Sequence, residues 1–159
     1  MEWKLWGSFS KEPQFQGAQF QATSLLELVI CIICRFSPQH LSTERGFGPG
    51  CIQRPPEAQY QDEIYRCCHV LSEGSLIAFP EFGTANGRVD FYIPARGWGI
   101  ELTRDGNRLA NHWGRFSEGG SYRETLHLTD YIIVDCRTTR PMVEHPRKWT
   151  CPLVIAFLI

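Results

Sequence analysis

Gly87-Arg88-Val89-Asp90-Phe91-Tyr92-Ile93, then Pro94-Ala95-Arg96-Gly97, then Trp98-Gly99-Ile100-Glu101-Leu102-Thr103-Arg104 decide how this chain reads. The stretch predicts two strands joined by a turn. Side chains alternate between faces along a strand, so Val89, Phe91 and Ile93 share one face, and Trp98, Ile100 and Leu102 share a face of the partner. Closing the hairpin with Ile93 opposite Trp98 sets Asp90 opposite Glu101 and Arg88 opposite Thr103. Directly opposed side chains lie roughly 4.5–5.5 Å apart at Cβ. Two carboxylates at that spacing repel unless a cation lies between them, which is how oxygen ligands assemble a divalent metal site. A solvated hairpin face with two unrelated acids would carry the same letters, so the neighbouring segments decide.

Upstream, Tyr60, Ile64, Cys67, Cys68 and Leu71 recur at three- and four-residue steps, which predicts a helix. Pro55-Pro56 suits its start and Gly74 its stop. Leu76-Ile77-Ala78-Phe79 reads as a short buried strand, interrupted by Pro80. Asp105-Gly106 breaks the pattern after the hairpin, and residues 107–116 predict a helix with Leu109, Trp113 and Phe116 on one side. Tyr131-Ile132-Ile133-Val134-Asp135-Cys136 is an apolar, β-branched run suited to a fully buried strand. The order is helix, three strands, helix, strand, an α/β arrangement.

That order and those acids resemble the PD-(D/E)XK, or restriction-endonuclease-like, nuclease superfamily. The match is closer to the nuclease-like domain of Crinkler-type proteins of fungi and oomycetes. It rests on residues 57–66, on Pro80-Glu81-Phe82-Gly83, on the two hairpin strands and on residues 131–137, and it covers roughly 54–146. The resemblance implies a restriction-endonuclease-like core, preceded here by an extra N-terminal helix. It implies hydrolysis of phosphodiester bonds with Mg²⁺ or Mn²⁺, DNA being the expected substrate ahead of RNA. Asp90 and Glu101 match the strand acids and Glu63 is the best match for the helix acid, so these three are the expected metal ligands. An effector role and an intracellular, nuclear place of action come with the same resemblance.

Thr103 stands where the superfamily has its lysine, two residues after the glutamate. Threonine is neutral and cannot supply that charge. Arg88, opposite Thr103 in the expected register, and Arg104, which follows it, are the candidate replacements. Arginine forks well onto phosphate but is a poor base. The missing lysine also supports a second reading, a catalytically silent module that binds nucleic acid or protein.

The chain has 159 residues, which suits one domain over 23–146, and a formal net charge of −1. That excludes a strongly basic nucleic-acid binder. The charge is uneven, however. Arg88, Arg96, Arg104, Arg108, Arg115 and Arg123 gather around the hairpin and the helix after it, with Trp98, Trp113 and Tyr122 interleaved. This predicts a basic rim for phosphates and rings for bases, with Trp98 assigned to the core. His112, on the helix after Glu101, is the one histidine of interest.

Seven cysteines lack both zinc-ribbon and disulfide-framework spacing, and read as reduced, intracellular thiols. The run from Leu25 to Cys34 is too short for a membrane span and contains Glu27. It lies too far from Met1 for a usual signal peptide, and predicts a buried helix. Residues 1–22 read as a loose segment. Residues 147–159 read as an apolar tail that departs from the family pattern, a truncated or aberrant end and an aggregation liability.

Overall fold

A computed structural model of the chain describes residues 22–42, 57–84, 87–106, 108–137 and 153–158. Of the expected loose segment 1–22, only Ala22 lies among them, and it is buried in the core. The first helix, α1 (Leu25–Ile33), starts at Ser24, whose hydroxyl accepts the Glu27 N–H at 3.2 Å. Glu27 reaches back to the Thr23 N–H at 2.9 Å, so one orphan donor of the first turn and the N–H just before the cap are both satisfied. A short α2 (Pro38–Ser42) leads to α3 (Glu57–Leu71). Tyr60, Ile64, Cys67, Cys68 and Leu71, the residues of the helical spacing, are all buried.

Four strands and two helices follow: β1 (Phe79–Thr84), β2 (Gly87–Ile93), β3 (Trp98–Arg104), α4 (Leu109–Phe116), α5 (Ser121–Thr125) and β4 (Asp130–Arg137). With β5 (Leu153–Leu158) they form one mixed sheet in the order β1-β2-β3-β4-β5. The β1–β2 and β2–β3 pairs are antiparallel, while the β3–β4 and β4–β5 pairs are parallel. The fold is therefore mixed α/β. Among the described residues, no helix is long and apolar enough to cross a membrane.

Two apolar cores flank the sheet. Phe91, Ile93, Trp98, Ile100, Leu102, Ile132, Val134 and Cys136 pack with α1 and α3 on one side. Val89, Leu109, Phe116, Tyr122, Leu126 and Ile133 form the other, with α4 and α5. The hairpin closes as expected, Ile93 opposite Trp98.

Three expectations are corrected. The buried strand expected at 76–79 begins instead at Phe79, which is exposed, and runs through Pro80, because β1 is an edge strand, where a missing N–H is tolerated. Val89 does not share a core with Phe91 and Ile93. It lies in the α4–α5 core, because regular alternation is lost at Asp90, which neither ladder pairs. Tyr122, expected as a base-stacking ring, is a fully buried core residue on a helix that periodicity had not revealed. Within the apolar tail, 153–158 is a strand paired with β4, so its main chain is part of the sheet.

Candidate active site

The ladder between β2 and β3 ends at Phe91 opposite Ile100, and that between β1 and β2 skips Glu81 and Asp90. Glu81 has a φ of 47°, a left-handed conformation that interrupts strand pairing. Asp90 and Glu101 therefore sit just past the last rung, where main-chain donors need other partners. The carboxylates supply them. Asp90 Oδ2 accepts the Leu102 N–H at 2.6 Å, and Glu101 Oε2 accepts the Asp90 N–H at 3.4 Å. From α3, the Gln61 amide donates to Asp90 Oδ1 at 3.0 Å.

The two acids are not equivalent. Glu101, only 1% exposed, is well supplied with donors on the α4–α5 side. His112 Nδ1 lies 2.6 Å from Oε1, Arg115 donates to the same oxygen at 3.0 Å, and the Tyr122 hydroxyl lies 3.4 Å away. The Tyr122 hydroxyl donates to the carbonyl of Arg88. Burial, and then the negative charge of Glu101, push the phenol up to about 12. Among the described residues, Asp90 has no comparable ion pair. Burial first, and then the charge of Glu101, push its carboxyl up to about 7, against smaller downward pulls from the Leu102 N–H and His112.

The helix acid is elsewhere. Glu63 lies two residues beyond Gln61, roughly 200° around the helix. Its carboxylate accepts from the Ser37 N–H at 2.6 Å and from Arg66 Nε at 3.0 Å, and faces His40 Nδ1 at 3.0 Å. Burial alone pushes this carboxyl up, but the hydrogen bonds from Arg66, Ser37 and His40 outweigh it and hold the group at about 2. The structure does not bring Glu63 to the pair. The α3 residue that reaches it is Gln61, with Glu57, one turn earlier, adding negative charge near Asp90.

Arg88 is not opposite Thr103. It pairs with Gly83 of β1, and its guanidinium meets Glu81 at 3.1 Å in an exposed ion pair. Arg104 lies at the end of β3, 4.0 Å from the Asp105 carboxylate. Thr103 is buried and donates to Asp135 Oδ1 at 3.0 Å, an oxygen that also accepts the Gly106 N–H at 2.8 Å. Arg137 Nε donates to the other Asp135 oxygen.

The cation beside Glu101 is thus Arg115. The basic rim included it, but nothing in the strand register pointed to it over Arg88. His112 and Arg115 lie three residues apart and so share a helix face. That spacing was the available signal. Gln61 stands four residues after Glu57, on the same helix face, and as a neutral amide it carries no mark of a metal site in the sequence.

The donor set suits an oxygen-seeking divalent ion in part. It offers a carboxylate that has no ion pair among the described residues beside a second, well-supported one. Among the described residues, no group of three or more His, Cys, Asp or Glu converges. The chain would supply two ligands, leaving other positions to water and substrate oxygens, as is usual for Mg²⁺. Comparison with protein-family models, curated proteins and solved structures yields no match for this chain.

Proposed function

We propose that the chain is a nuclease domain with a restriction-endonuclease-like core, hydrolysing phosphodiester bonds of DNA ahead of RNA with Mg²⁺ or Mn²⁺. One observation carries the reading. Asp90 and Glu101 approach each other just past the last rung of the β2–β3 ladder, and Asp90 is left as a charge-averse carboxyl beside a second acid. When bound between them, the ion supplies Lewis-acid stabilisation of the charge that develops on the phosphate. Asp90 and Glu101 hold it. Arg115 and His112 orient Glu101, and Gln61 orients Asp90. The resemblance to Crinkler-type domains adds the effector setting and the nuclear place of action.

The test is nicking of supercoiled plasmid. Mg²⁺ or Mn²⁺ should support it, EDTA should stop it, and Asp90→Ala should abolish it with the fold retained. One observation favours a silent nucleic-acid- or protein-binding module instead: Arg115 already donates to Glu101 Oε1, and His112 and the Tyr122 hydroxyl crowd the same oxygen. The readings part on metal. Calorimetric titration of Mn²⁺ into wild type and Asp90→Asn should show binding that the variant loses. No cleavage with any metal and no difference in that titration would favour the silent module.

A further inference from the structure

We propose that His112 is the general base of the Asp90–Glu101 site: its Nε2 takes the proton of the water that attacks the phosphodiester. The base role rests on the nuclease reading; the placement of the proton on the other ring nitrogen does not.

Hydrolysis is helped by a group that accepts a proton near neutral pH. The surroundings of the pair are poor in such groups. Arg115 stays charged and cannot serve. The Tyr122 hydroxyl donates to the Arg88 carbonyl, and Gln61 presents an amide to Asp90. Thr103, where the superfamily has its lysine, donates to Asp135. Asp90 and Glu101 are the expected ion ligands. Among the described side chains that reach the two carboxylates, His112 alone carries a nitrogen of suitable basicity.

Geometry fixes the tautomer. His112 Nδ1 lies 2.6 Å from Glu101 Oε1, and Arg115 donates to the same oxygen at 3.0 Å. A carboxylate paired with a guanidinium is ionised, and an ionised carboxylate only accepts. Nδ1 therefore carries a proton whether the ring is neutral or charged. Nε2 is the nitrogen that loses and regains one. Among the described residues Nε2 meets no partner, and the side chain keeps 17% of its surface exposed. His112 shares a face of α4 with Leu109 and Phe116, both buried, so helix packing sets the approach of the ring. A carboxylate that orients an imidazole and fixes its tautomer is what makes such a ring an effective base.

The step balances. Water gives one proton to Nε2 while its oxygen bonds to phosphorus. The bond from phosphorus to the leaving sugar oxygen breaks with its electron pair, and that oxygen takes a proton from solvent. The imidazolium returns its proton to solvent. A phosphomonoester and an alcohol result, and nothing is oxidised or reduced.

The test uses His112→Asn, whose amide keeps a donor near the position of Nδ1 for Glu101 but has no basic nitrogen. Plasmid cleavage should fall about 10²–10⁴-fold, the range of a lost general base. Mn²⁺ affinity by calorimetry and the thermal midpoint should hardly change. If His112→Asn does not fold by circular dichroism, His112→Gln carries the same expectation. Long-range ¹H–¹⁵N NMR of wild type in EDTA adds a readout free of metal and cleavage. The His112 ring should hold its proton on Nδ1, with Nε2 the nitrogen left bare at alkaline pH.

A proton on Nε2 with Nδ1 bare would overturn the proposal. Undiminished cleavage by folded His112→Asn would overturn it too, and would leave the nuclease reading standing. So would cleavage lost together with Mn²⁺ affinity, which makes His112 only a support of Glu101. No cleavage by wild type under any metal would sink the nuclease reading and the base role with it, while the NMR pattern still decides the tautomer.

Discussion

Glu101 accepts the backbone N–H of Asp90 at 3.4 Å, so the main chain holds together two acids whose charges repel. Asp90 answers by taking the N–H of Leu102, beside Glu101, at 2.6 Å. The carboxylates occupy the place of the missing rung of the β2–β3 ladder. Their closeness is therefore built into the strand geometry and does not wait for a ligand. The cost falls on Asp90, whose ionised form is disfavoured by burial and by its neighbour.

That cost sets a pH dependence. The Asp90 carboxyl titrates near 3.8 when free and near 7 in the fold, so the folded chain holds more protons between those values. Its contribution to stability is fully present below about pH 4 and is lost as pH rises through about 7. Without metal, Asp90→Asn should abolish this slope and stabilise the fold above pH 7, by on the order of a few kcal/mol at most. Urea unfolding at pH 5, 6 and 7.5 in EDTA measures it. A variant that unfolds with the same slope as wild type contradicts the assignment.

Glu63 should behave in the opposite sense. Its carboxyl is held at about 2 against an ordinary 4.5, so its contribution is present above pH 4.5 and lost as pH falls through 2. Glu63→Gln should cost about 1–3 kcal/mol at neutral pH, the scale of hydrogen bonds to a charged group. Mn²⁺ affinity should hardly change, since this carboxylate serves Ser37, His40 and Arg66. Chemical denaturation and calorimetry on one preparation read both. A large loss of metal affinity in a folded variant would restore Glu63 as a ligand.

Arg115→Ala removes a cation from the buried Glu101 and a donor from the Tyr122 hydroxyl. Destabilisation by about 1–3 kcal/mol is expected, since one buried carboxylate loses charge-assisted support. Mn²⁺ should bind more tightly, because a competing positive charge has gone. Thermal unfolding with and without metal separates the effects: the metal-induced rise in midpoint should be larger in the variant.

The contrast between Arg88 and Thr103 supplies a further prediction. Arg88→Ala should change stability by no more than about 0.5 kcal/mol, as for an exposed pair. It should lower the salt dependence of oligonucleotide binding by about one phosphate contact. Thr103→Lys puts an ammonium into a buried position already packed against Asp135. Overpacking of this kind costs typically about 1–3 kcal/mol. The restored superfamily letter should therefore weaken the fold in thermal melts instead of simply raising activity.

The hairpin was legible from its letters. Alternating apolar residues on both sides of Pro94-Ala95-Arg96-Gly97 sufficed to set Ile93 against Trp98. The helix from Glu57 to Leu71 and the buried strand from Asp130 to Arg137 were legible for the same reason, since burial imposes a period that sequence must obey. Extrapolating the register past Phe91 was where local reading stopped holding. It put Arg88 opposite Thr103 and Val89 with Phe91, and assumed a ladder that Glu81 and Asp90 interrupt.

What sequence by itself determined was the mixed α/β order and the placement of Asp90 and Glu101 on neighbouring antiparallel strands. Those follow from short-range periodicity and one turn. Only tertiary structure decided which groups meet the acids. Arg115 reaches Glu101 over fourteen residues and Gln61 reaches Asp90 over twenty-nine, while Glu63 turns back to Ser37 and His40. No local period encodes such distances. They depend on how α3 and α4 pack on opposite faces of the sheet, and burial then makes each charge take whichever partner the packing leaves in reach.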